Sequence, residues 1–417
     1  MSENLILPPE SRDRIKVHMG IQSISVKLTG QSHTCIICHS PMKKNGTTSK
    51  GTQRWRCKNC NSSTTFQRAD TTARNQLTGF VGWLMSRLSQ AEFGGGTGRT
   101  FRYQTAWCWN VEPYLPRTGE VFNEVQVDGI YIRPGWCLLI AIANGSVIRW
   151  QWCDREKAVA WIALLQHFPE PKVVLTDGGS GLMKALKKLW PNVKIQRCLV
   201  HIQRNVRTYL TMNPRLQAGK SLRRLSLKLT KIQTQEAATE WMAAFAAWHA
   251  ENQDLINEKT YAADWPGARP QGVHGTRKWW YTHERLRSAY ESMRKPMQRG
   301  HLFTYLNEDL KGLGINATTN MIEGAVNSGI RAMIFHHRGM PVEHRRRACE
   351  WFCWTHTDEA NRPALGELLR PEHFSPVAKK AAEQVSDDEP IGPELYGTGA
   401  STEDGQFIRR GWIRNSY

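Results

Sequence analysis

Two aspartates in this sequence each close an apolar, strand-like run and are followed by glycine. Asp128 lies in VQVDGIYI, and Asp177 lies in VVLTDGG. A carboxylate at the end of a buried strand costs free energy unless it is paired or binds a metal. Asp-Gly is also a common turn sequence, so each aspartate alone has an ordinary structural explanation. Two such positions in one α/β sheet predict a shared site.

A third acidic residue lies much further along the chain, in TTNMIEGAVNSGIR. Thr318 or Thr319 can cap a helix there, and a glutamate near a helix start often serves only to favour the helix dipole. Asn320, Glu323 and Asn327 stand at positions −3, 0 and +4. This spacing predicts that the three side chains share one helical face.

Four cysteines form two closely spaced pairs near the N-terminus. Cys35 and Cys38 are followed after 18 residues by Cys57 and Cys60. This spacing is typical of a zinc ribbon with four thiolates around one tetrahedral ion, the alternative being four unrelated thiols. A module this short buries little core, so the metal must supply folding free energy. Its basic side chains offer a DNA-facing surface: Lys43, Lys44, Arg54, Arg56 and Lys58.

A fifth cysteine is spaced from a histidine in a way that allows two interpretations. Cys198 and His201 lie in KIQRCLVHIQRN, at the start of a predicted helix. The pair could bind a second zinc ion, with Cys349 and Cys353 as further ligands. It could instead lie on one helical face and support a neighbouring site. The spacing alone leaves both alternatives open.

The elements that must position these residues follow from the hydrophobic pattern. Three strand-like runs with short turns, VFNEVQVDGIYI, WCLLIAIAN and SVIRWQWC, come first. Helix-like and strand-like runs then alternate, through DREKAVAWIALLQHF, KVVLT, SGLMKALKKLW and VKIQ. This order predicts an α/β domain with a mixed sheet. Residues 211–310 are basic and helical apart from the loop ADWPGARPQGVHG, and a last helical block covers about 317–357.

The segment between the cysteines and the first strand predicts two helices around a glycine-rich turn. Thr72 can cap a helix that runs to about Gln90, and Thr97 or Thr100 can start a second helix after FGGGTGRT. The second helix would carry Arg99 and Arg102. This arrangement resembles a helix-turn-helix that inserts its second helix into the major groove, although a purely structural helical pair gives the same pattern.

The charge of the chain favours a polyanionic partner. Lys and Arg number 56 against 37 Asp and Glu, for a net charge of +19, and residues 1–120 carry 16 basic and 7 acidic side chains. Each neutralised phosphate would release counterions, so nucleic acid is the natural partner. The longest apolar run, at 136–143, is too short for a membrane span. With no secretory signal visible, we expect a cytoplasmic protein whose cysteines are thiols or metal ligands.

Four short motifs occur in an order that resembles the Mutator-like DDE transposases of bacterial insertion sequences. They are Asp128-Gly129, Thr176-Asp177-Gly178, Arg197-Cys198-Leu199-Val200-His201, and Thr319-Asn320-Met321-Ile322-Glu323-Gly324. The resemblance covers roughly residues 121–335. It implies an RNase H-like catalytic fold, with a helical domain inserted in the 146-residue gap between Asp177 and Glu323.

The resemblance also implies a function and its site. Asp128, Asp177 and Glu323 would hold two Mg²⁺ ions, or Mn²⁺, for cleavage and joining of DNA strands. His201 would touch the scissile phosphate or pack beside it, and Cys198 would act as a buttress. The partners would be the insertion-sequence ends and target DNA, bound by a homodimer or larger homo-oligomer. A catalytically inactive DNA-binding regulator and a nuclease that cuts without joining are the alternatives.

These interpretations define a domain plan and a set of DNA-binding candidates. We expect an N-terminal arm at 1–34, a zinc ribbon at 35–66, a helix-turn-helix-like module at 71–116, a catalytic core in two parts at 121–211 and 311–360, an all-helical insertion at 212–310, and a tail at 361–417. The tail includes 383–404, which has seven acidic residues and no Lys or Arg, and is expected to be disordered. The DNA-binding candidates are Arg54, Arg56, Arg99, Arg102, Arg197, Arg204, Arg207, Arg223, Arg224 and Asn320.

Overall fold

A computed structural model of the chain describes residues 35, 38, 40–49, 51, 53–64, 69–132, 135–270, 273 and 275–374. The expected N-terminal arm and the acidic segment 383–404 lie outside these residues. Contacts within the chain define two compact units, Met1–Ala73 and Arg74–Tyr417.

The first unit is built on a three-stranded antiparallel sheet. Its strands are β1 (Met42–Thr47), β2 (Gln53–Cys57) and β3 (Ser63–Thr64), in that order across the sheet. Met42 pairs with Cys57, and both are buried with Cys35. Such a small buried cluster gives little hydrophobic stabilisation by itself.

The helices that follow differ from the predicted pair. Helix α1 (Ala69–Leu84) begins before Thr72 and ends before Gln90. A capping box formed by Ser89 and Glu92 starts a separate short helix, α2 (Gln90–Gly94). Helix α3 (Arg99–Thr105) begins after Gly98, whose positive φ of 70° suits the turn better than a threonine would. The segment therefore holds three α-helices and a following 3-10 helix, Ala106–Asn110, where the sequence predicted two helices.

The mixed sheet predicted for the centre of the chain is confirmed. Its five strands are β4 (Glu124–Ile132), β5 (Trp136–Ala143), β6 (Ser146–Cys153), β7 (Val173–Thr176) and β8 (Lys194–Arg197). They lie in the order β6-β5-β4-β7-β8. The first three strands are antiparallel, whereas β7 runs parallel to both β4 and β8.

Side chains along β4 point alternately to the two faces of the sheet, and each face packs into a different hydrophobic core. Val125 and Val127 belong to one hydrophobic core, together with helices α4 (Ala158–Leu165) and α5 (Ser180–Leu189). Ile130 and Ile132 belong to the opposite core, which also contains residues of α1. Since side chains alternate with a period of two, Asp128 lies on the face of Ile130 and Gly129 lies on the face of Val127.

The insertion forms a third core of its own. Its helices are α6 (Leu199–Leu210), α7 (Gln217–Lys228), α8 (Gln235–Asn257) and α9 (Glu284–Gln298). The prediction that this insertion is all helical is wrong. Strands β9 (Lys259–Tyr261) and β10 (Trp279–Tyr281) form an antiparallel hairpin, because their alternating aromatic and β-branched residues pair across the ladder.

The chain returns to the sheet through an unusual helical segment. A π-helical stretch, Ile322–Asn327, leads into α10 (Ser328–His336), and α11 (Val342–Thr355) follows. Asn320 and Asn327 do not share one helical face as predicted, since Asn320 is exposed whereas Asn327 is 2% exposed. The wider π turn between them accounts for the difference. None of the helices in the described residues is long and apolar enough to span a membrane.

Candidate active site

The register of the central strands brings the two aspartates toward each other. Gln126 of β4 aligns with Leu175 of the parallel strand β7, so Asp177, two residues beyond Leu175, emerges beside Asp128. The sequence suggested that Asp128 lies at the end of a strand, and this prediction is wrong. Asp128 pairs with Ile140 of β5 in the middle of the ladder, because β4 continues through the glycine to Ile132.

Asp128 is fixed by hydrogen bonds at both carboxylate oxygens. Its Oδ1 accepts from the backbone N–H of Gly129 at 2.9 Å, and its Oδ2 accepts from Nδ2 of Asn327 at 2.7 Å. Burial raises the pKa of Asp128 to about 7, and the negative charges of Asp177 and Glu323 act in the same direction. The charges of both other predicted carboxylates therefore act on Asp128.

Asp177 starts the turn that follows β7. Its Oδ1 accepts from the backbone N–H of Gly179 at 3.0 Å. Gly178 has a φ of +85°, and a Cβ there would lie 1.9 Å from Cζ of Arg197. Arg197 is only 5% exposed. Its guanidinium packs beneath this turn, so Arg197 does not lie on the surface where a DNA contact was predicted.

Glu323 is held by side chains from two other segments. Its Oε2 accepts from Nη1 of Arg204 at 2.5 Å, and its Oε1 accepts from the Thr319 hydroxyl at 2.9 Å. Nδ1 of His201 lies 3.4 Å from the same Oε1. His201 and Arg204 are three residues apart on α6, so one carboxylate meets both. Burial raises the pKa of Glu323, but the positive charge of His201 and the Arg204 contact reverse this and lower it.

Cys198 and His201 form a thiol–imidazole pair at the start of α6. Cys198 is 0% exposed, and its Sγ accepts from the Thr319 hydroxyl at 3.1 Å and from the Thr319 N–H at 3.3 Å. Burial alone would lower the pKa of His201, but the bond to Cys198 and the nearby aspartates raise it to about 9. The pKa of Cys198 is lowered against the effect of burial by the same histidine. The thiol and the nearby aspartates therefore favour the protonated form of the imidazole.

Metal-ligand atoms within 4.8 Å of one another occur as two groups in the part of the chain that the structure describes. One is Cys35, Cys38, Cys57 and Cys60, and the other is Cys198, His201 and Glu323. Asp128 and Asp177 belong to neither. Cys349 and Cys353, considered as extra zinc ligands beside Cys198, lie in the hydrophobic core around α11 instead.

The cysteine tetrad of the first unit has the arrangement that its spacing predicted. Sγ of Cys35 lies 3.4 Å from Sγ of Cys60, and Sγ of Cys38 lies 3.4 Å from Sγ of Cys57. Four sulfur atoms at this mutual distance could hold a tetrahedral zinc ion.

Glu156 is an acidic neighbour of the site that the sequence reasoning missed. A Cβ on Gly129 would lie 2.3 Å from its Oε1, so the glycine makes room for this carboxyl group. Burial and the charges of Asp177 and Asp128 raise the pKa of Glu156 well above its ordinary value. No sequence signal identified it, because DREKAVAW has the pattern of a solvated helix start.

Most of the predicted DNA-binding side chains are exposed. Those on the surface are Arg54, Arg56, Arg99, Arg102, Arg204, Arg207, Arg224 and Asn320, and Arg223 is half-buried. Arg204 is bound to Glu323, however, and Nε of Arg102 donates to Oε1 of Gln90 at 2.9 Å. Exposure is therefore compatible with a DNA contact, but these two guanidinium groups already have protein partners.

Comparison with known proteins identifies the class of protein to which this region is similar. Residues 140–260 match the family model described as "Transposase, Mutator family". The resemblance predicted from the sequence motifs is thus confirmed. The matched region contains Asp177, Cys198, His201 and Arg204, whereas Asp128 and Glu323 lie outside it.

Two individual relatives carry names of the same kind. The transposase for insertion sequence element IS905 of Lactococcus lactis subsp. lactis (strain IL1403) is 30% identical over 114 residues, or 23% of this chain and 29% of the relative. The transposase for insertion sequence element IS1201 of Lactobacillus helveticus is 31% identical over 98 residues, or 22% of this chain and 25% of the relative. Each match thus spans less than a third of the relative's length.

Proposed function

We propose that this protein is a DNA transposase that binds the ends of an insertion sequence and cuts and joins DNA strands by a DDE mechanism. The single observation that carries the proposal is the meeting of three segments near Asp128. Asp177 follows the neighbouring parallel strand, and the π-helical segment that bears Glu323 donates to Asp128 through Asn327. The match of the intervening region to Mutator transposases supports the same conclusion.

The sheet supports an RNase H-like assignment of the catalytic core. Three antiparallel strands are followed by two parallel strands added at the β4 edge, with a helix crossing over before each of the added strands. The insertion then leaves after β8 and returns with Glu323. In this arrangement one aspartate lies within β4 and the other just after the neighbouring strand β7, and the glutamate returns from a separate segment.

The donor atoms near Asp128 fit a hard divalent cation. Asp128, Asp177 and Glu323 supply carboxylate oxygens, which Mg²⁺ and Mn²⁺ prefer. Burial is the main cause of the raised pKa of Asp128, and the negative charges of Asp177 and Glu323, which a cation would offset, add to it. When bound, the ions would activate the attacking hydroxyl and stabilise the leaving oxygen of an in-line displacement at phosphorus.

The protein's own side chains would orient this site. Asn327 fixes the rotamer of Asp128 by donating to Oδ2. Arg204 and His201 hold Glu323 through its two oxygens, so Glu323 must exchange at least one of these contacts to serve as a metal ligand. In its protonated form, which its surroundings favour, His201 would then stabilise negative charge on a phosphate oxygen next to the aspartates.

Several basic surfaces would bind the DNA substrate. The proposed zinc ribbon presents Arg54 and Arg56, and the helix-turn-helix-like segment presents Arg99. In the insertion, Arg207 and Arg224 are exposed on α6 and α7. Contacts of this kind neutralise phosphates and position the duplex without reading its sequence.

Strand cleavage and strand transfer on labelled insertion-sequence ends test the proposal directly. Asp128→Asn, Asp177→Asn and Glu323→Gln should each abolish both activities with Mg²⁺ while end binding in a mobility-shift assay is retained. Asp154→Asn is the matched control, because Asp154 pairs with Lys157 outside the site and its loss should be tolerated. Activity in the Glu323→Gln variant would contradict the mechanism, and cleavage without strand transfer in the native protein would identify a nuclease instead.

A further inference from the structure

We propose that Cys198, His201 and Glu323 form a second metal site, which takes a thiophilic transition ion such as Zn²⁺ and is separate from the carboxylate site for Mg²⁺. This site differs from the cysteine tetrad of the first unit and from a zinc site completed by Cys349 and Cys353. It uses two residues at the β8–α6 junction and one from the π-helical segment.

The geometry of the three ligand atoms supports the site. Sγ of Cys198, a ring nitrogen of His201 and a carboxylate oxygen of Glu323 all lie within 4.8 Å of one another. Nδ1 of His201 is 3.4 Å from Oε1 of Glu323. Two ligands of a tetrahedral zinc ion, each about 2.0–2.1 Å from the metal, stand at about this separation. The imidazole and the carboxylate therefore already stand at the separation that one ion requires, with the thiol close to both.

A hydroxyl group holds the three ligands facing one another. Oγ1 of Thr319 lies 2.9 Å from Oε1 of Glu323, 3.1 Å from Sγ of Cys198 and 3.5 Å from Nδ1 of His201. Because Thr319 directly precedes the helical segment that carries Glu323, its position fixes the start of that segment against α6. The cluster is thus organised by the fold and does not depend on a metal to assemble it.

The ligand types determine which ion fits. Metal binding would release the proton of His201, because only a neutral imidazole can act as a ligand. A thiolate and a neutral imidazole nitrogen favour zinc and similar transition metals, whereas Mg²⁺ prefers oxygen ligands and near-octahedral geometry. Three protein ligands leave a fourth position of a tetrahedral ion available to water or a phosphate oxygen. Asp128 and Asp177 provide oxygen ligands only, so the two sites should differ in metal preference.

Glu323 belongs to both sites, which links their occupancy. This consequence rests on the proposed function, in which Glu323 helps to hold Mg²⁺ beside the aspartates. An ion bound to Cys198 and His201 would keep Oε1 of Glu323 on the α6 side. Zinc should therefore inhibit Mg²⁺-dependent strand cleavage by competing for a shared ligand.

Metal stoichiometry and cobalt absorption test the site independently of activity. The full chain, purified from zinc-supplemented medium, should bind one equivalent more zinc than Cys198→Ser, whatever the cysteine tetrad contributes. Titration with Co²⁺ should give a sulfur-to-cobalt charge-transfer band in both proteins because of the cysteine tetrad, and the band of Cys198→Ser should lack the contribution of one cobalt–thiolate bond. His201→Ala should keep the thiol but weaken metal binding more than about tenfold, the loss that removing even an outer-shell partner can cause.

A matched histidine provides the control. Nε2 of His283 lies 3.2 Å from Oε2 of Glu258, an imidazole–carboxylate pair of similar spacing. His283→Ala should leave zinc stoichiometry and the cobalt spectrum unchanged. Circular dichroism establishes that each variant is folded, and Glu323→Gln gives a second test in case Cys198→Ser fails to fold. Equal zinc content and equal cobalt spectra in the native protein and the folded variants would overturn the proposal.

Zinc inhibition tests the link between the sites. Cleavage with Mg²⁺ is measured with and without added Zn²⁺, and each variant is compared with its own zinc-free rate. Inhibition should be strong in the native protein and largely lost in Cys198→Ser. Equal inhibition in both would refute the shared ligand. A protein that binds the additional zinc but never cleaves DNA would refute the proposed function while leaving the metal site intact.

Discussion

Replacing Asp128 by Asn should stabilise the protein in the absence of Mg²⁺, although the same change should abolish catalysis. Asp128 is half-buried beside Asp177 and Glu323, and its pKa rises from 3.8 to about 7. A carboxyl group with a raised pKa favours folding while it is protonated, and that advantage is lost as the pH rises through the folded-state pKa. Folding stability should therefore decline between about pH 4 and pH 7.

The size of the effect follows from the same values. At roughly 1.4 kcal/mol per pH unit, the change from 3.8 to about 7 sets a ceiling of about 4 kcal/mol at pH 8. Relaxation of the site reduces this, so we expect Asp128→Asn to gain about 1–3 kcal/mol. For a unit as large as Arg74–Tyr417, that gain raises the thermal midpoint by about 1–4 °C.

The neutral replacement can keep the existing hydrogen-bond geometry. Asn327 now donates Nδ2 to Oδ2 of Asp128, while its own Oδ1 is buried without a hydrogen bond. A flip of the Asn327 amide would present this oxygen to the NH₂ group that the substitution introduces. Asp128→Asn therefore removes a charge without leaving an additional buried polar atom unsatisfied.

Thermal unfolding of zinc-loaded protein without Mg²⁺ at pH 8 and pH 5 measures the prediction. The advantage of Asp128→Asn should fall to less than half at pH 5, where the folded native protein is already protonated at this position. Added Mg²⁺ should raise the midpoint of the native protein more than that of the variant. A variant that is no more stable than the native protein at pH 8, with the same dependence on pH, would refute the electrostatic argument.

Three further substitutions test, one at a time, the turn after Asp177, the cysteine tetrad and the proposed DNA-binding surface. Gly178→Ala should lose about 2–5 kcal/mol of stability, from about 1–2 for the positive φ and about 1–3 for overlap with Arg197. Gly312→Ala, with a similar φ of +79° and open space around it, should lose only the first part, and equal losses in urea unfolding would contradict the packing argument. Cys57→Ser should lower zinc content by one equivalent while leaving the five-stranded sheet folded, and unchanged zinc content would exclude the tetrad as a metal site. Arg224→Ala should lower the magnitude of the log–log salt dependence of DNA binding by about 0.9, whereas an unchanged slope would mean that Arg224 makes no phosphate contact.

The partners of the site residues became visible only in the folded chain. The sequence marked Arg197 and Arg204 as DNA-binding, but one is buried under the Asp177 turn and the other is bound to Glu323. No sequence pattern identified Glu156, because its carboxyl group lies near the site only where Gly129, a residue distant in the chain, has no side chain. Such contacts join residues that are far apart in the chain, and local periodicity carries no information about them.

Local spacing in the sequence was sufficient to predict a different set of features. The cysteine tetrad, the mixed sheet of the α/β core and the two Asp-Gly positions follow from short-range patterns, because metal-ligand spacing and the alternation of apolar residues depend on residues close together in the chain. The π-helical turn and the β9–β10 hairpin did not follow. A π turn differs from an α turn by one residue and is stabilised by contacts beyond it, here the link from Asn327 to Asp128 across 199 residues. Packing against the sheet, a property of the whole fold, therefore sets where Glu323 lies.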